Sequence, residues 1–173
     1  MSHHTAPRSH RRVVVLFHLG FCLLGPVGLA VAQQGWGPVS TLTVPAATYP
    51  RGDRSIQVAA NAAGDVIAAW GQGVEVRAVR FSSAAGRWTP EVGVGTTNAS
   101  GFASYPPGIA VDPAGNALVT WNAGNAIDAA RYSAAAGTWS APVRLSPAMF
   151  PGEPSTATDA AGNGIVVWGD SGR

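Results

Sequence analysis

One stretch constrains this chain more than any other: Ile109 to Trp121, Ile-Ala-Val-Asp-Pro-Ala-Gly-Asn-Ala-Leu-Val-Thr-Trp, which occurs in three versions. Each version reads as a strand, a tight turn and a second strand ending in tryptophan. The turns are Asn61-Ala-Ala-Gly64-Asp65, Asp112-Pro-Ala-Gly115-Asn116 and Asp159-Ala-Ala-Gly162-Asn163. Asp or Asn at the first position can bond the backbone two residues on, Pro113 pre-sets the next φ, and glycine supplies the left-handed residue of a type I hairpin with a bulge. Acidic residues beside a glycine also suggest a calcium loop, but the alternating oxygen ligands of such a loop are not there, so the hairpin reading is preferred.

The tryptophans fix the period. Trp36, Trp88 and Trp139 are spaced 52 and 51, Trp70, Trp121 and Trp168 are spaced 51 and 47, and the step from the second series to the first is 18 both times. A period near fifty implies units that bury their apolar faces against one another. Each unit opens with strand A, a Trp with a nearby Pro and then apolar residues: Trp36…Leu42, Trp88…Val94, Trp139…Leu145. A variable loop rich in Gly, Pro, Ser and Thr leads to strand B, which carries Val58 and Ala60, Ile109 and Val111, or Thr156 and Thr158. Strand C follows the turn (Val66–Trp70, Ala117–Trp121, Gly164–Trp168) and is apolar throughout, as a strand covered on both faces should be. Strand D is Val76–Phe81 and, in register, Ile127–Tyr132. The tryptophans are expected to be core anchors before sugar platforms. Arg80 and Arg131, at one strand position, are expected to span the gap between neighbouring units.

The region before residue 33 has a different character. A polar segment with Arg8, Arg11 and Arg12 precedes an apolar run from Val13 to Ala32 that ends Ala30-Val31-Ala32, the pattern of a signal peptide cleaved after Ala32. The expected address is therefore secreted or periplasmic, with an N-terminal membrane anchor as the alternative and no stable membrane insertion after cleavage. The residues after Arg11-Arg12 match a twin-arginine signal weakly, which favours the general secretory route. Cys22 follows Phe21 where a lipoprotein signal wants a small residue, so lipidation is not expected.

Cleavage would also remove chemistry. His3, His4, His10, His18 and Cys22 are the only His and Cys residues, and the chain has no lysine. Residues 33–173 therefore exclude a Ser-His-Asp or Cys-His nucleophile, a His or Cys metal site, a Schiff-base lysine and a disulfide, and no cofactor is expected. Eight of the eleven arginines lie in this region against all nine acidic residues, a net charge of −1. A nucleic-acid partner is excluded by the want of a concentrated basic surface.

Four short strands per unit and a Trp-anchored hairpin predict an all-β fold of β-propeller-type repeats. Three units are expected, about 36–87, 88–138 and 139–173, the last incomplete. The pattern Trp-x-x-Pro, then Ile-Ala-Val-Asp-x-x-Gly-Asn-Ala-x-x-x-Trp, then Ala-Arg-Tyr followed by Gly and Trp139, resembles the repeats of secreted bacterial proteins of the sialidase and BNR propeller type. The family's Asp-box, Ser-x-Asp-x-Gly followed closely by Trp, is not reproduced: Asp112 is three residues before Gly115, and Trp121 six beyond it. Neither the arginine triad nor the Tyr-Glu pair of sialidases has a position in this sequence, so no catalytic residue is assigned.

The strand order A-B-C-D, A-B-C-D, A-B-C cannot close a ring of about four to eight blades. A fragment of a longer protein is the favoured expectation; copies completing a ring as a homo-oligomer, or an open and marginal fold, are the alternatives.

The resulting functional expectation is a non-catalytic binding module for a glycan or a protein. Its surface would be the A-to-B loops, which emerge on one side because they join the same pair of strands. Tyr49, Arg51, Arg54, Phe102, Tyr105, Phe150 and Glu153 are the candidate ligand-binding residues, with Asp53 and Met149 beside them. Arg51-Gly52-Asp53 matches an integrin-type tripeptide, too short a match to carry weight. The alternative is the N-terminal part of a sialidase-like glycoside hydrolase, which would need two facing carboxylates from among Asp53, Glu75, Glu91 and Glu153.

Overall fold

The computed structural model describes residues 13–15, 40–42, 54–97, 105–146 and 151–170. The chain divides into two units, Met1–Thr48 and Tyr49–Arg173. Within the first, β1 (Val13–Val15) pairs antiparallel with β2 (Ser40–Leu42). Three consecutive β-branched valines favour an extended backbone, which suits this part of the apolar run to a strand.

The second unit holds the remaining strands among the described residues. β3 (Arg54–Ala60), β4 (Val66–Gln72), β5 (Glu75–Ser82), β6 (Arg87–Trp88) and β7 (Val92–Thr96) form one antiparallel sheet. β8 (Gly108–Val111), β9 (Ala117–Asn122), β10 (Ile127–Ser133), β11 (Thr138–Trp139) and β12 (Val143–Ser146) form a second of the same design. β13 (Ser155–Thr158) and β14 (Gly164–Val167) form a hairpin. The described residues contain no helix, and so none long and apolar enough to cross a membrane. The architecture is all-β and repeats in the manner of propeller blades, as the sequence predicts.

Each full sheet takes strands B, C and D from one sequence unit and closes with strand A of the next. β7 pairs with β5, and β12 pairs with β10. The boundaries drawn at residues 88 and 139 therefore fall inside sheets. Strand A is itself divided, because Pro90 has no N–H for the ladder. At the break the chain substitutes a side chain: Thr89 N–H donates to the Arg80 carbonyl at 2.7 Å, and Arg80 N–H donates to Thr89 Oγ1 at 3.1 Å. Ser140 repeats the exchange with Arg131, at 2.7 and 3.0 Å.

The core lies between the sheets. Ile67 packs with Ala117 and Tyr132, while Ala69 and Val94 pack with Val119 and Trp121. Burying a side chain the size of Ile67 contributes roughly 1.5–3 kcal/mol. β4 and β9 are covered on both faces, as their largely apolar, non-alternating sequences require. β14 departs from the pattern: Ile165 and Val167 remain 66% and 59% exposed where Ile67 and Ala69 are fully buried. The cause is geometric, since those two positions face the side on which a following sheet would stack.

Close approach of the sheets is set by glycine. A Cβ on Gly95 would come within 2.1 Å of Trp121 Cζ2, so only a bare backbone admits the indole. Trp121 then donates from Nε1 to the Thr96 carbonyl at 3.1 Å, tying the second sheet to the closing strand of the first.

Candidate functional site

The repeated acidic turns are structural. In the first, Gly64 N–H donates to the Asn61 carbonyl at 3.0 Å with Gly64 at φ 84°. Gly115 (φ 81°) and Gly162 (φ 82°) make the same bond to Asp112 and Asp159, at 3.0 and 3.1 Å. The opening side chain caps each loop: Asp112 accepts from Asn116 N–H at 2.9 Å and from Asn116 Nδ2 at 2.8 Å, and Asp159 accepts both bonds from Asn163 at 2.8 Å. These bonds, the one from Asn163 Nδ2 foremost, hold Asp159 below the ordinary carboxylate range. The turns also lock to one another, Asn61 Nδ2 donating to the Asp112 carbonyl at 3.0 Å.

The repeated arginines bridge neighbouring sheets. Arg80 pairs with Asp65 at 3.0 Å in its own sheet and lies over the Tyr132 ring of the next, 5.5 Å from its centroid. Burial disfavours the Asp65 carboxylate, but the hydrogen bond from Ser83 N–H and the Arg80 charge outweigh it, and its pKa falls below the usual value. Arg131 reaches from the second sheet to the Gly162 carbonyl of the third hairpin at 3.2 Å. Asn116 stands where the first sheet has Asp65, and the acid of this turn is Asp112 at its opening position, capped by Asn116.

Around Arg131 a cavity of about 420 Å³ opens between the second sheet and the third hairpin. Tyr132, Trp139, Thr138 and Ser140 line one side, and Thr158 and Gly162 the other. It lies at the end of the strands where the B-to-C turns sit, opposite the A-to-B loops. Sequence reasoning found the bridging arginine there but not the cavity.

The candidate loop residues fare unevenly. Tyr49, Arg51, Phe102 and Phe150, with Asp53 and Met149, lie outside the described residues. Arg54 opens β3, its backbone opposite Gly71. Tyr105 is 43% exposed just before β8, and Glu153 is exposed just before β13. Both stand at the same end of adjacent sheets, where Pro154 approaches Gly108. Behind them Asn122 donates to the carbonyl of Pro151, and Gly152 N–H donates to the Gly169 carbonyl at 2.7 Å, which anchors the third loop to the end of strand C.

Most described carboxylates already have work within the fold. Glu75 and Glu91 hold Arg77 between them, and Asp128 pairs with Arg144 at 3.2 Å. Burial opposes the Arg77 charge, but its bonds to these two acids raise its pKa. Among the described residues no three His, Cys, Asp or Glu side chains come together as metal ligands. Two tryptophans are core, as expected: Trp70 and Trp121 are fully buried, whereas Trp88 and Trp139 are half-buried against Phe81 and Tyr132 at ring separations of 5.6 and 5.4 Å.

No family model matches the chain, and no curated protein is similar to it. Among solved structures, a Hadza microbial sialidase, Hz136, is similar over 69% of this chain at 13% identity with a TM-score of 0.42. The chain spans 35% of the length of that structure.

Proposed function

We propose that the protein is an exported, non-catalytic binding module that takes a glycan or a protein ligand on its A-to-B loops. The observation that carries this reading is the commitment of most of the described acids. Asp65, Glu75, Glu91, Asp112, Asp128 and Asp159 are all engaged by partners within the repeats. Glycoside hydrolysis needs two carboxyl groups facing the scissile bond, with a general acid free to donate a proton. Acids fixed as turn caps and ion pairs do not serve that role. The loops, in contrast, vary in length and carry most of the aromatic residues that the repeat does not use.

Export rests on the pattern of residues 1–32, which fits secretion or delivery to the periplasm. The test is a glycan array, with protein capture beside it, comparing the full chain with Tyr105→Ala and Glu153→Ala. Saturable binding that weakens about tenfold in at least one variant supports the loop surface, that being the scale of losing one good contact. Binding that neither substitution alters removes the loops from the account.

A further inference from the structure

The face of β9 that meets the third hairpin differs in kind from the face of β4 that meets the second sheet. On β4 that face carries Ile67, Ala69 and Gly71, and on β9 the same positions carry Leu118, Thr120 and Asn122. Ala69 belongs to the apolar cluster on which Ile109 rests. Thr120 is fully buried, and its hydroxyl lies 2.6 Å from that of Thr156 across the interface. Asn122, two residues on, donates to the Pro151 carbonyl. The register makes the comparison strict. Gly108 lies opposite Thr120 as Gln57 lies opposite Ala69 and Ser155 opposite Val167, so Thr156 holds the place of Ile109.

The backbone beside the hydroxyl pair is equally particular. A Cβ on Gly108 would lie 2.4 Å from Thr156 Oγ1 and 2.6 Å from Thr120 Oγ1, so the pair needs a bare backbone at that position. The first sheet has Gln57 there.

We infer that Gly108, Thr120 and Thr156 determine which hairpin stacks on which sheet, so that β13 is accepted by the second sheet and refused by the first. This holds whatever the loops bind. Homologous hairpins in one chain can exchange places, within a molecule or between copies, and repeat proteins fail by misassembly of this kind. Apolar contacts between Ala, Ile and Val discriminate poorly, because the hydrophobic effect has no direction. A buried hydroxyl is directional and, left without a partner, costs its full desolvation. Placing an Ile109-type strand on β9, as from a second copy, strands the Thr120 hydroxyl. Placing β13 on β4 strands Thr156 opposite Ala69 and drives its hydroxyl against the Cβ of Gln57. Selection thus comes from what the wrong pairings cost.

The experiment uses the full chain and two changes at one position. Thr156→Val keeps the shape of the side chain and removes the hydroxyl, whereas Thr156→Ser keeps the hydroxyl. Amide exchange at Ser155–Thr158 should quicken about tenfold or more in Thr156→Val and stay within about threefold of the parent in Thr156→Ser. The double variant Thr120→Ala/Thr156→Ile installs the pair of the first interface. Refolded from urea, the parent should give one set of amide resonances, and both Thr156→Val and the double variant more than one. A contact from the new methyls at position 156 to the Ala69 methyl identifies the wrong stack. A double variant too unstable to refold leaves the decision with Thr156→Val. Exchange that does not distinguish Thr156→Val from Thr156→Ser overturns the inference. A single set of resonances in every refolded variant also overturns it, for the hydroxyl pair then adds stability without selecting a partner.

Discussion

The guanidinium of Arg80 stands between the Asp65 carboxylate, 3.0 Å away in its own sheet, and the face of the Tyr132 ring, 5.5 Å away in the next. One side chain thus fixes a hairpin turn and the stacking of two sheets. Arg131 occupies the equivalent position, donates to the Gly162 carbonyl at 3.2 Å, and is exposed.

The two arginines should therefore differ in cost. Arg80→Ala strands a largely buried carboxylate and removes a ring contact, a loss of about 3 kcal/mol. Arg131→Ala should cost under ~1 kcal/mol, the scale of an exposed charged contact. Urea unfolding of the two variants beside the parent measures the difference.

Asp65 makes stability depend on pH. Its folded pKa is depressed, so its contribution is present above the unfolded value of 3.8 and is lost as pH falls through the lower folded value. Melting temperature should fall between about pH 5 and pH 2, and Asp65→Asn should flatten that part of the profile. A variant whose acid limb matches the parent's would remove Asp65 from the cause.

Gly95 offers a packing test with an internal control. Gly95→Ala drives a methyl group into the Trp121 ring, and overpacking of this kind costs about 1–3 kcal/mol. Gly93→Ala, two residues away on the same strand, meets nothing within 4 Å and should change stability by less than about 0.5 kcal/mol. Denaturant midpoints of the pair report whether the strand A of one unit supports the tryptophan of the next sheet.

Much of this architecture was legible before the structure. Asp112, Pro113 and Gly115 specify a hairpin by local chemistry, and the largely apolar, non-alternating stretch Ala117–Trp121 specifies burial on both faces. The bridging arginines followed from their fixed place in the repeat. The phase of the sheets did not, because a periodic sequence has no intrinsic starting point: nothing in Trp88 to Val94 says whether the strand joins the sheet before or after it. The hydroxyls of Thr89 and Ser140 were a readable signal, since each accepts from the N–H of the facing arginine beside the proline that interrupts strand A. The cavity was not readable, for it arises from spatial neighbours fifty residues apart in sequence. Of the candidate loop residues, Tyr105 and Glu153 are solvent-facing.

The central functional claim is that the chain holds ligands without transforming them. Its most direct test is incubation of the full chain with a panel of sialylated and neutral oligosaccharides, following retained ligand and released monosaccharide by mass spectrometry in one sample. The account predicts that intact glycan, or a captured protein in a parallel pull-down, is retained and no monosaccharide is released. Steady release of a monosaccharide, abolished when a single carboxylate such as Glu153 is replaced by Gln, would contradict it.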